Sequence, residues 1–218
     1  MKWIRFTRGT VLPLVIAAAA AGCTFSDGTD DDEAAAGAAQ QAPDQQPMPA
    51  PQPQPPDMLI EVDIAARQLH VMRGGQRIES HPVAVGSEEW PTPTGEWTIG
   101  QVIFNPRWVP PTSESWAEDE EIAEPGDADN PLGHAQLVYD IPNSIHGTNA
   151  PESLGKAVSH GSIRVSNEVA VKLARMVMEA GGAARDDAFF QRVQSNRTER
   201  VDVDIPNPVP IRVVAGSR

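Results

Sequence analysis

From residue 58 onward the chain alternates between apolar and polar positions in short runs. Residues 59–63 (Leu-Ile-Glu-Val-Asp) and 68–72 (Gln-Leu-His-Val-Met) switch with a period near two, the pattern of strands that bury one face. Gly74-Gly75 marks a hairpin turn before a third run, 77–85, and further strands are predicted at 95–100 and 136–139. Runs at 201–203 and 211–214 predict closing strands, separated by Pro206, Pro208 and Pro210. Proline brings no N–H to a ladder, so that split is expected on an edge or in a loop. One segment has a different period. Val169, Leu173, Met176, Val177 and Ala180 share a helical face, with Ser166 or Asn167 available to cap its start and Gly181-Gly182 to end it. A second, short helix is predicted over 186–193. Residues 108–130 are acidic and lack a period; a loop of that length in a compact domain is usually functional or mobile. The expectation is a mainly β domain, 58–218, with one packed helix.

The first 57 residues read differently. Lys2, Arg5 and Arg8 precede a short apolar run from Val11 to Ala21, the layout of an export signal. That run falls short of the ~20 apolar residues of a transmembrane helix. It ends in Ala20-Ala21-Gly22-Cys23, which resembles a bacterial lipoprotein box, so residues 1–22 are expected to be removed and Cys23 acylated. Cys23 is the chain's single cysteine, and it stands where that reading needs it. Thr24 after the cysteine, rather than Asp, favours the outer membrane if enteric sorting applies. Residues 24–57 run from an acidic stretch (27–33) into Ala, Gln and Pro. Such a composition cannot bury a core and favours extended polyproline II. About 30 residues at ~3.1 Å each would reach on the order of 90 Å, which suits a tether between a membrane and a wall.

Charge narrows the partners. The chain carries 17 Lys+Arg against 30 Asp+Glu, and loss of the leader removes three of the basic residues, leaving a formal −16. That balance argues against nucleic acid and against attraction to anionic lipid, so membrane attachment would come from the lipid at Cys23. With one cysteine no internal disulfide is possible. No metal-binding spacing stands out among the five histidines, of which His70, His81 and His134 read as ordinary polar residues. Neither a metal nor another cofactor is expected.

The candidate chemistry lies in two short segments. His146-Gly147 is followed by Ser159-His160-Gly161-Ser162-Ile163-Arg164. A histidine and a hydroxyl on separate loops can act as base and nucleophile, and the amides of Gly161 and Ser162 are candidates for holding a developing oxyanion. Glycines beside each partner permit tight backbone paths.

Taken whole, Ile145-His146-Gly147-Thr148 with 159–167 (SHGSIRVSN) resembles the signature of the L,D-transpeptidases, which cross-link peptidoglycan stem peptides through a cysteine acyl-enzyme. Three further strings agree in type and order: 91–97 (PTPTGEW), 105–111 (NPRWVPP) and 130–133 (NPLG). The resemblance covers roughly 58–215 and implies a β-sandwich or β-rich domain with its helix after the nucleophile loop. It implies His146 as base, the Gly147 carbonyl as its orienting group, and Ser162 at the nucleophile position. Ser159, His160, Gly161 and Arg164 would shape the loop, Arg164 either meeting a substrate carboxylate or anchoring the loop internally, and Trp108 would line the cleft.

The departure is Ser162 where the family has a thiol. A thiol, with a pKa of ~8.5, yields its proton readily beside a histidine, whereas a serine hydroxyl needs base assistance in the transition state itself. Several readings follow: weakened or lost chemistry with binding kept, a true serine acyltransferase or hydrolase, or an introduced residue.

Overall fold

The computed structural model describes residues 56–216. The expected leader, Cys23 and nearly all of the expected tether lie outside the described residues.

The domain is mainly β, as its alternation predicts. β1 (Met58–Asp63), β2 (Gln68–Arg73) and β3 (Gln76–Pro82) form a meander. β4 (Val85–Gly86) is followed by β5 (Gly95–Phe104), β6 (Ala135–Asp140), β7 (Asn143–His146), β8 (Ala157–Ser159) and β9 (Ile163–Arg164). Two helices, α1 (Asn167–Ala180) and α2 (Asp187–Ser195), precede the long β10 (Val201–Val214). Eight strands join one curled sheet in the order β3-β2-β1-β10-β5-β6-β7-β9, and β4 pairs with β8 apart from it.

Three expectations need correction. The stretch 201–214 is one strand, and it lies in the middle of the sheet between β1 and β5 rather than on an edge. Its prolines are accommodated by a skip in register: the pairing with β5 breaks between Asp204 and Val209, and Pro206 and Pro208 fall in the gap. Pro210 precedes Ile211, where the parallel pairing with β1 begins. No ladder bond is therefore asked of the missing amides at 206 and 208. The run 77–85 is split, because the chain leaves the large sheet after Pro82; Val83 N–H donates to the Arg67 carbonyl and Ala84 pairs with Arg164. The α1 stripe is rotated: Ala170, Leu173, Ala174, Val177 and Met178 are buried, while Val169, Met176 and Ala180 are only partly so. The short second helix forms where the sequence places it, its Phe189 and Phe190 closing on Phe104 at ring-centroid distances of 5.6 and 6.0 Å.

Ser166 caps α1, its Oγ accepting from Val169 N–H at 3.2 Å. Asp186 caps α2 through Phe189 N–H at 2.9 Å. These caps set where each helix begins, and so where α1 meets the loops described below.

Tyr139 packs against the core beside Trp97, with ring centroids 5.6 Å apart. Among the described residues its buried hydroxyl has no hydrogen-bond partner, and burial, with Asp140 nearby, pushes the phenol above its ordinary range. A buried hydroxyl without a partner costs ~1–3 kcal/mol. Tyr139→Phe is therefore expected to raise stability by about 1 kcal/mol in urea titration; a clear loss would reveal a partner for the hydroxyl in solution.

Candidate active site

Strand periodicity builds the site. β7 lies between β6 and β9, and Leu137, Ile145 and Ile163 stand side by side across the three strands, all buried in the core. The next row, Gln136–His146–Arg164, points to the opposite face. Those three side chains, with Ser144 and Ser162, line a cleft of about 820 Å³. β7 and β9 have four and two residues, too few for their alternation to stand out in the sequence.

His146 is 5% exposed. Its Nδ1 lies 2.6 Å from the Gly147 carbonyl. A carbonyl can only accept, so Nδ1 carries the proton and the lone pair of the neutral ring rests on Nε2. Burial, the strongest cause, lowers the ring's pKa to about 4; the Gly147 carbonyl opposes this, the Arg164 charge adds to it, and the Pro131 backbone opposes it. At neutral pH the ring is an uncharged acceptor. Gly147 itself is held close to α1, and a β-carbon there would collide with Asn167 Oδ1.

Ser162 stands just before β9 and is half-buried. Its Oγ accepts from the Ser144 backbone N–H at 3.2 Å, and Ser144 Oγ accepts from Gln136 Nε2 at 3.1 Å. In the loop behind it, Ser159 Oγ donates to the Ser162 carbonyl at 2.5 Å. Gly161 has φ +101°, which strains any other residue, and a β-carbon there would also push Asn143 Oδ1 aside from 2.8 Å. Among the described residues the amides of Gly161 and Ser162 donate to no acceptor.

The walls come from distant segments. His160 stacks on Trp116 at 3.8 Å, nearly parallel, and meets the edge of Trp90 at 4.6 Å. Trp108 lines the cleft, and its backbone bridges Ala123 in both directions at 2.9 and 3.1 Å. The acidic loop between them is thereby closed at its neck. Beyond Trp108 and Arg164 a side chamber of about 500 Å³ opens, walled by Glu120, Glu121, Asp127 and Asp129. The PTPTG turn supports the other side: Thr92 Oγ1 accepts from Gly86 N–H at 2.7 Å, and Ser87 N–H donates to the Ser159 carbonyl at 3.0 Å.

Two asparagines do work that the sequence reading missed. Asn167 is not the helix cap. Its Oδ1 accepts from His134 N–H at 2.9 Å and its Nδ2 donates to the Thr148 carbonyl at 3.0 Å, so it joins the NPLG segment to the His146-Gly147 turn. Asn105 is buried at the end of β5 with φ +49°. Its Nδ2 faces the carbonyls of Val193, Asn196 and Glu199 at 2.9, 3.0 and 2.9 Å. Among the remaining histidines, His70 meets Ser80 and His81 meets Glu79. No group of three His, Cys, Asp or Glu side chains converges among the described residues.

Comparison with known proteins adds the following. Residues 57–205 match the YkuD family model, described as the L,D-transpeptidase catalytic domain. Two Bacillus subtilis proteins that carry provisional L,D-transpeptidase names are similar in sequence. YqjB is 32% identical over 127 residues, covering 56% of this chain and 66% of YqjB. YkuD is 34% identical over 118 residues, covering 54% of this chain and 59% of YkuD. The matched region thus spans less than two thirds of either relative. A solved L,D-transpeptidase from Mycobacterium smegmatis overlays with a TM-score of 0.48 at 18% identity, covering 73% of this chain and 59% of that one, too distant to bear on the site.

Proposed function

Because this chain belongs to the L,D-transpeptidase catalytic-domain family, we propose that it acts on peptidoglycan stem peptides as a slow serine acyltransferase. The supporting observation is that Ser162 and a neutral, oriented His146 line one open cleft. In this reading Ser162 Oγ attacks the carbonyl between the L- and D-centres of a donor peptide while His146 Nε2 takes its proton. The C–N bond then breaks, the imidazolium returns the proton to the departing amine, and an ester remains on Ser162. An acceptor amine or water resolves the ester. The unengaged amides of Gly161 and Ser162 are the candidates for holding the oxyanion.

The rate is expected to be low for two reasons. The group that orients His146 is a neutral carbonyl, which stabilises an imidazolium less than the carboxylate of a serine-protease triad does. The Ser162 hydroxyl also rests on the Ser144 amide, so its oxygen is already engaged as an acceptor. That second contact favours an alternative, a stem-peptide-binding protein without turnover. A serine esterase of other substrates has less support, since among the described residues no carboxylate is hydrogen-bonded to His146. In the proposed setting the domain is tethered on the periplasmic side of the outer membrane through acylated Cys23.

Incubation of the purified chain with tetrapeptide-bearing muropeptides tests the proposal. Slow release of the terminal residue is expected, with an ester adduct seen by intact mass. The rate should hold from neutral pH down to about 5 and then fall through about 4 as His146 gains its proton. No product, with sacculus binding unchanged in His146→Ala, would establish the binding protein instead.

A further inference from the structure

The Ser144 N–H that donates to Ser162 Oγ at 3.2 Å is a rung of the sheet without a backbone partner. Amides along a strand turn alternately to its two neighbours. Gly147 N–H donates to the Ala135 carbonyl, toward β6, while the His146 carbonyl accepts from Val165 N–H, on the side of β9. Ser144, two residues before His146, faces the β9 side as well. β9 begins only at Ile163, and Gly161 at φ +101° ends the extended path ahead of it. The oxygen of Ser162 fills the place where a carbonyl would sit. The donor is held firmly: β7 lies between β6 and β9, Ser144 is 1% exposed, and Gln136, diagonal to it on β6, ties its Oγ at 3.1 Å.

What an N–H does for an oxygen depends on the charge that oxygen carries. It is a modest partner for a neutral hydroxyl and a much better one for an alkoxide or thiolate, so it favours the charged form. The two halves of an acyl transfer therefore feel this contact differently. During attack it occupies one lone pair of Oγ. During resolution an acceptor amine or water adds to the ester carbonyl and gives its proton to His146 Nε2. The bond from the carbonyl carbon to Oγ then breaks, the electron pair goes to Oγ, and the imidazolium proton follows it. An alkoxide is a poor leaving group, and Ser144 N–H already stands where its charge appears.

We infer that the Ser144 backbone N–H is a catalytic group of this cleft, stabilising negative charge on the atom at position 162 and so easing its departure when the acyl-enzyme is resolved. This rests on the acyl-transfer reading given above, and deepens it.

The test reads that charge directly and uses no peptide. The full chain carries Ser162→Cys, with Cys23→Ser so that one thiol remains, and its alkylation by iodoacetamide is followed from about pH 5 to about pH 10. A second chain differs only in having an ester in place of the peptide bond between residues 143 and 144, which deletes the one N–H. The charged and titratable side chains lining the cleft, Glu89, Arg107, Glu114, His146, His160 and Arg164, are the same in both. The thiol is expected to titrate about one pK unit higher in the ester chain, which is about tenfold less thiolate at neutral pH. Titration within about 0.2 unit of the all-amide chain overturns the assignment. Should the ester chain not fold, the all-amide chain isotope-labelled at serine decides by NMR. Its Ser144 amide resonance is expected to move downfield with the midpoint of the thiol titration and to stay still in Ser162→Ala; a resonance that ignores the thiol overturns the assignment as well. A shifted thiol in a chain that gives no muropeptide product would strike the stem-peptide reading alone.

Discussion

Ser162→Cys is expected to form the acyl-enzyme with a stem tetrapeptide about a hundredfold faster than the native chain, or more. The gain follows from where the proton must go. His146 sits where burial lowers its pKa to about 4, so forming an imidazolium there is costly, and the Gly147 carbonyl offsets only part of that cost. A hydroxyl must nonetheless hand its proton to this ring as it attacks, since an alkoxide is far too basic to form beforehand. A thiol is the stronger acid by many pK units and the better nucleophile, so less is asked of the same ring. The change adds little volume at a half-buried position whose contact is a backbone amide, and the fold should not notice it. Single-turnover intact-mass measurements on native, Ser162→Cys and Ser162→Ala chains decide the matter. If the cysteine variant binds the peptide but acquires no adduct, the cleft is not a catalytic one.

The largest stability loss is expected at Asn105. One buried amide group there serves three carbonyls, from the end of α2 and the turn after it. Asn105→Ala leaves them without that donor and puts alanine, which adopts the left-handed region less readily than asparagine, at φ +49°. The combined cost is about 3–5 kcal/mol, or on the order of 10 °C in Tm for a domain of this size. Asn105→Gly separates the two contributions. It removes the same donor but relieves the backbone, and should recover about 1 kcal/mol. If the alanine variant melts within a degree or two of the native chain, water replaces the amide and the anchor is dispensable.

Asn105 shows what the sequence can and cannot disclose. It opens the string 105–111, which marks the segment but does not say where this side chain points. Its side chain faces α2, because the end of β5 turns through a left-handed residue that the string does not reveal. Asn167 was similarly ambiguous, since asparagine suits both a helix cap and a bridge between backbones. His146 and Ser162 stood out through motif spacing and line one cleft, and β1 and β2 were legible through clean alternation. β10 was obscured because three prolines suggest an interruption, whereas the register skip beside β5 absorbs two of them. The contact that most affects Ser162, the Ser144 N–H, belongs to the backbone and leaves no mark in residue type. Arg164 was visible as a charge, but only the fold shows that no Asp or Glu among the described residues forms an ion pair with it.

The bracket formed by Asn167 has a consequence for how such a chain can change. One side chain, on the first residue of a helix, fixes two turns that lie about 20 and 33 positions earlier, and it leaves no room for a methyl group on either glycine it touches. Lengthening either turn, or swapping the asparagine, would tilt the imidazole along with the backbone that carries it. Three remote stretches of the polypeptide are thus obliged to drift together or stay still, while the acidic loop closed off at Trp108 and Ala123 keeps a separate tie to the site, Trp116 on His160.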